Sequence, residues 1–111
     1  MMEKSNIKLL ALQLKKNPAD SFSKFALALE LLKRNEVSKA RVLFESVLKQ
    51  DPQYLGVYYH LGKLYESMDL KKEAFKIYSN GIIVAEQQDN RRTLSELNEA
   101  LEILKTEMNN E

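Results

Sequence analysis

The sequence predicts an all-α protein, an array of antiparallel helix pairs. Two observations predict it: a set of residues recurs at a period of 34, and the composition favours helix over strand. Pro18 and Pro52 stand 34 residues apart, one after Asn17 and the other after Asp51. Ala40 and Ala74, Leu27 and Leu61, Ala28 and Gly62, and Phe44 and Tyr78 repeat at the same spacing. The members of each pair agree in size and chemistry as well as in position. Leu, Lys and Glu dominate, Val and Thr are scarce, and two prolines and three glycines are too few for the many turns of an all-β chain.

Each element follows from its punctuation. Proline suits the first turn of a helix, where its missing N–H costs nothing. The first helix after Pro18 is therefore expected over residues 19–34, and the helix opened by Pro52 over residues 52–68. Asn35 breaks the first, and a second helix covers 37–50. Asp69 breaks the third, and a fourth covers 70–87. Asn35 and Asp69 stand where a left-handed residue would close the turn, a conformation that Asn and Asp tolerate best after Gly. Ala28, Gly62, Ala40 and Ala74 let neighbouring helices approach. Leu27, Leu31, Phe44 and Leu48, then Leu61, Tyr65, Tyr78 and Ile82, fill the space between them.

At 111 residues the chain fits one small domain, and 44% apolar content is enough for a core rather than disorder. So short a chain buries only about 60–70% of its unfolded surface, so packing must be efficient or an oligomer must help. Seventeen basic residues balance sixteen acidic ones, leaving a net charge of +1 with no long single-sign block. That balance argues against nucleic acid or an acidic membrane surface as the main partner. The absence of cysteine excludes disulfides and thiolate metal sites, and His60 is the only histidine, so neither a metal nor a cofactor site is expected. No segment reaches the roughly 18 apolar residues of a membrane span. Near the N-terminus Ile7, Leu10 and Leu14 fall at helical spacing, and Lys8 and Gln13 interrupt what would otherwise resemble a signal sequence. This segment is expected to belong to the fold, and the protein to be cytoplasmic.

With these residues in place, the chain resembles the tetratricopeptide-repeat family. That motif is a 34-residue helix–turn–helix with W-x2-L-G-x2-Y, then Ala, an aromatic, a small residue and Pro. Tyr58, Leu61, Gly62, Tyr65, Ala74, Tyr78 and Gly81 follow it, with Glu86 in place of the final proline. In the first repeat Leu27, Ala28, Ala40, Phe44 and Pro52 match, while Lys24, Leu31 and Val47 depart. The resemblance covers roughly residues 19–87.

The flanks are expected to be incomplete repeats within one domain spanning 1–111. Residues 1–17 form an N-terminal helix, 18–51 the first repeat, 52–88 the second, and 89–111 a capping helix. Leu94, Leu97, Leu101 and Leu104 give that last helix its apolar stripe, shifted by about two residues from the repeat register. Ser95, Glu96, Glu99, Glu102 and Lys105 are expected to face solvent and cap the array. The resemblance implies about six helices stacked as a solenoid, a right-handed superhelix.

No catalytic constellation stands out, and no enzyme activity is expected. A Ser–His–Asp arrangement would rest on His60 alone, which is expected to be a groove or surface histidine. Glu66, Asp69, Glu73 and Glu86 are read as solvated or helix-end charges. Glu99 and Glu102 lack a nearby histidine and are read likewise.

Function is expected in binding. Phe22, Phe25, Leu29 and Leu32 step by three or four, so they form one stripe on a helix. The family resemblance implies a concave face at these positions, joined by Tyr59, Lys63 and Glu66 from the second repeat. Tyr59 lies 34 residues after Phe25, and Lys63 lies 34 after Leu29. The implied function is a non-catalytic protein–protein interaction scaffold that takes a peptide or helix in this groove. The alternative is a homodimer that uses the same apolar face for self-association. The family's clamp for a C-terminal carboxylate is not expected, because Phe25, Leu29 and His60 replace most of its Lys and Asn positions.

Overall fold

The computed structural model describes residues 2–110, with side chains from Asn6 onward. Six helices carry the regular structure: α1 (Met2–Lys16), α2 (Ser21–Lys33), α3 (Val37–Gln50), α4 (Gly56–Ser67), α5 (Lys71–Gln87) and α6 (Arg91–Asn109). No strand occurs among the described residues. The helices pack in two compact units that divide between Tyr54 and Leu55. In the first, α2 packs on both α1 and α3; in the second, α5 packs on both α4 and α6, and α4 also touches α6.

The two prolines do not open helices, contrary to expectation. The Asn17 carbonyl accepts from the Asp20 N–H at 3.1 Å, and the Asp51 carbonyl accepts from the Tyr54 N–H at 3.0 Å. Pro18 and Pro52 each occupy the second position of such a turn, which their fixed φ suits as well as it suits a first helical turn. Helix α2 therefore starts after Asp20, whose carboxylate caps it by accepting from the Ser23 N–H and, at 2.7 Å, from the Ser23 hydroxyl. These hydrogen bonds, the Ser23 hydroxyl foremost, hold the Asp20 carboxyl below its ordinary pKa. Helix α4 starts only at Gly56.

The turns inside the helix pairs are closed as expected. Asn35 and Asp69 have φ of 60° and 59°. Around Asn35, the Glu36 N–H reaches back to the Leu31 carbonyl at 2.9 Å and the Asn35 N–H to the Leu32 carbonyl at 2.9 Å. The same pair of bonds recurs around Asp69, from Leu70 to Tyr65 and from Asp69 to Glu66. This is the Schellman closure. A third copy, which the repeat did not predict, ends α5: Asp89 has φ 52°, Asn90 bonds to Ala85, and Asp89 to Glu86. Glu86 stands where a repeat-ending proline is missing, so the chain leaves α5 by this tight turn. In all three turns the residue after the left-handed one, Glu36, Leu70 or Asn90, is already the N-cap of the next helix.

The core follows the repeat. Ala28, Ala40, Phe44 and Val47 are fully buried in the first unit, and Ala74, Tyr78, Leu97 and Leu104 in the second. Leu27, Leu48 and Ile82, expected as core, are half-buried. The repeats solve the same packing problem with different pairs. In the second unit Tyr58 packs closely against Gly81, where a Cβ would stand 2.6 Å from Tyr58 Cβ. In the first unit these positions are Lys24 and Val47. Lys24 is slim enough to leave room for the buried Val47, and its ammonium donates to Ser46 Oγ at 2.9 Å and Gln50 Oε1 at 2.7 Å. The Gln50 amide in turn donates to the Ala19 carbonyl and Ser21 Oγ. The departure of Lys24 from the family motif is thus a polar tie between α2 and α3.

Candidate functional site

In the first unit the apolar stripe on α2 divides by depth. Phe22 is 64% exposed, while Phe25, Leu29 and Leu32 are half-buried. Phe25 is partly engaged within its unit. Its ring centroid lies 6.0 Å from that of Phe44 and 5.3 Å from that of Tyr54. Both contacts are tilted, within the range of favourable aromatic pairs.

In the second unit a cleft of about 360 Å³ opens between α4 and α6. Helix α4 supplies Tyr59, His60 and Lys63; α6 supplies Glu96, Glu99, Ala100 and Ile103. The 3.6-residue helical period explains the set on each helix: positions 59, 60 and 63 share one face, as do 96, 99, 100 and 103. Opposite faces of the same helices enter the core through Tyr58, Leu61 and Tyr65, and through Leu97, Leu101 and Leu104. The Lys63 ammonium sits 5.7 Å from the centroid of the Tyr59 ring, one turn before it. The His60 ring meets Tyr59 edge-on, with centroids 5.8 Å apart. Burial pushes the His60 pKa down, and the nearby Glu96 carboxylate opposes that shift.

The residues expected on the concave face thus have unequal surroundings. Tyr59 and Lys63 line the α4–α6 cleft. Glu66, half-buried on the same helix, accepts a hydrogen bond from the Tyr78 hydroxyl and so is tied to the core. Phe22 is open, and Phe25 packs within its own unit. Glu96 and Glu99, read from the sequence as part of a solvent-facing cap, are exposed but also line the cleft. The signal for them lay in the shifted register of the last helix: with a two-residue shift, Glu96 and Glu99 fall 36 residues after His60 and Lys63. Ile103, 49% exposed, was not singled out at all. Among the described residues no group of three His, Cys, Asp or Glu side chains is placed to hold a metal ion, and no helix is long and apolar enough to cross a membrane.

No protein-family model matches the sequence, and no curated protein matches it. Solved structures do. The solution structure of a tetratricopeptide repeat domain protein from Salinibacter ruber is 43% identical over 81% of this chain and 91% of that one, with a TM-score of 0.77. A crystal structure of a tetratricopeptide repeat domain protein from the same organism is 44% identical over 78% of this chain and 97% of that one, with a TM-score of 0.75. The TPR2B-domain:pHsp70 complex of yeast Sti1 matches at a TM-score of 0.83 over 91% of this chain and 81% of that one; at 14% identity the likeness is one of fold alone.

Proposed function

The chain belongs to the tetratricopeptide-repeat family, and from that premise we propose that it is a non-catalytic protein-interaction module that binds a peptide or helix through residues of α2 and α4. Such repeat scaffolds work by presenting a surface, and their function resides in the side chains on that surface. The contact residues are Tyr59 and Lys63 in the second unit, and Phe22, with the accessible edges of Phe25, Leu29 and Leu32, in the first. Glu66 contributes by holding Tyr78 and is a positioning residue.

The observation that carries this reading is the α4–α6 cleft. It combines an aromatic wall, an apolar patch at Ala100 and Ile103, and charges of both signs, the mixture by which concave sites orient a ligand. The fold that matches in yeast Sti1 is found in a complex with pHsp70, which supports a protein or peptide as the class of partner.

The test is selection of peptides from a random display library on the intact protein. Peptides that bind wild type are expected to lose at least about 10-fold in affinity on Tyr59→Ser, a loss of ~1.4 kcal/mol. Circular dichroism checks that the variant is folded. Peptides indifferent to Tyr59→Ser would place binding elsewhere. Sedimentation at several concentrations separates this reading from self-association. A concentration-dependent dimer that Phe22→Glu abolishes would assign the α2 stripe to a second copy instead. Phe22 is the better probe than Phe25, because Phe25 also packs on Phe44 and Tyr54.

A further inference from the structure

The charges in the α4–α6 cleft do not cancel. Glu96 and Glu99 stand one turn apart on α6 and both line it. Glu96 reaches only Arg92, at 3.8 Å on its own helix, and that arginine is 91% exposed. Among the described residues Glu99 forms no ion pair, and Lys63 pairs with neither carboxylate. Instead the Lys63 ammonium lies over the Tyr59 ring. His60 adds no positive charge at neutral pH, since burial lowers its pKa from an already near-neutral value. Two carboxylates therefore face one ammonium.

The rest of the lining is apolar in character. Tyr59 and His60 present ring surface, Ala100 is nearly buried, and Ile103 leaves half of its side chain in the open. A guest that satisfies this lining carries a cation at the end of a long aliphatic or planar stem. Arginine and lysine bury such stems against apolar surface while their charged heads stay near water. A guanidinium is the better match for two carboxylates, because its planar fork donates to both and it is more weakly hydrated than an ammonium.

We propose that the α4–α6 cleft is a pocket for an arginine side chain of the bound peptide. Glu96 and Glu99 accept from the guanidinium, while Tyr59, Ala100 and Ile103 flank the stem. This inference rests on the peptide-binding reading above and names the residue that the second unit selects.

The library selection decides it. Peptides whose binding depends on Tyr59 should be enriched in arginine at one position. With the strongest of them as a fluorescent probe, replacing that arginine by citrulline should weaken binding about 10-fold, and the Glu96→Gln/Glu99→Gln variant should weaken it by a similar factor. Both glutamates are exposed, so the variant is expected to keep its fold. The citrulline peptide should be nearly indifferent to the glutamine variant. Tyr59-dependent peptides without arginine, or with an acidic residue in its place, would overturn the arginine pocket and leave the groove reading standing. So would arginine peptides that bind the glutamine variant as tightly as wild type. An absence of Tyr59-dependent peptides would overturn the groove reading, and the arginine pocket with it.

Discussion

The Tyr78 hydroxyl on α5 donates a hydrogen bond to the Glu66 carboxylate on α4, at the place where the first repeat has Phe44 and Leu32. The second repeat thus ties its helix pair with a polar contact at two positions that are apolar in the first. Removing one member of the polar pair strands the other. Tyr78→Phe leaves a half-buried carboxylate without its donor and is expected to cost about 1–2 kcal/mol. Adding Glu66→Leu copies the first repeat and should recover most of that loss. Urea denaturation of both single variants and the double gives the coupling, and simple additivity of the single effects would refute it.

The same pair sets an alkaline limit. Burial, and then the hydrogen bond to Glu66, hold the Tyr78 pKa well above its ordinary value. A group whose folded pKa is raised contributes stability below its unfolded pKa, about 10 for tyrosine, and loses it as pH rises beyond that point. Wild type should therefore lose stability above pH ~10 more steeply than Tyr78→Phe, as read from urea midpoints across that range.

His60 works at the opposite end. Its folded pKa lies below the unfolded value of about 6.5, so the unfolded chain takes up the proton first as the solution is acidified. The stability involved is fully present above that pH and is lost as pH falls towards the lower folded value. His60→Gln should flatten the decline in urea midpoint between about pH 7 and pH 5. Because His60 is the only histidine, its ring resonances report the folded pKa directly. A value at or above the ordinary one would contradict the burial seen here.

Gly62 is the tightest point of the second helix pair. A Cβ at this position would stand 2.6 Å from Tyr78 Cδ1 and Cζ, with the ring fully buried and without room to retreat. Gly62→Ala gains about 1 kcal/mol of helix propensity, yet overpacking of this kind costs typically 1–3 kcal/mol. A net loss is expected, and a stabilised variant would show that the ring moves freely. Tyr78→Ala and Phe44→Ala should each cost about 3–5 kcal/mol through the cavities they leave.

The left-handed turn residues offer a gain instead. Asn35, Asp69 and Asp89 each hold a positive φ that glycine adopts without a Cβ penalty. Replacing any of them by Gly should stabilise by up to about 1 kcal/mol, whereas Ala should destabilise; thermal melts rank the three residues at each site.

The 34-residue period made the helix pairs legible because each repeated residue answers a packing demand. Tyr78 needs Gly62 opposite it, Ala28 and Phe44 are fully buried at the matching positions, and Asn35 and Asp69 must turn left-handed. What stayed hidden had two physical causes. Proline suits both a turn and a first helical turn, so Pro18 and Pro52 alone do not say which they occupy; the Asp20 cap does. The α6 side of the cleft was obscured because its register departs from the period. Surface glutamates at positions 96 and 99 look the same in sequence whether they face a groove or bulk water. Lys24 read as a simple mismatch until Gln50 and Ser46 appeared as its partners.

Glu36, Leu70 and Asn90 each close one helix and cap the next, so these junctions contain no spare residue. One residue inserted there would rotate the following helix by about 100° about its own axis and carry its apolar face out of the core. Between α3 and α4 the five-residue connection contains a proline turn and no such double duty. Length variation is therefore tolerated in the α3–α4 connection and not at the junctions that Glu36, Leu70 and Asn90 close. A loop, tag or reporter grafted into the chain belongs near Gln53, not beside Asn35 or Asp69.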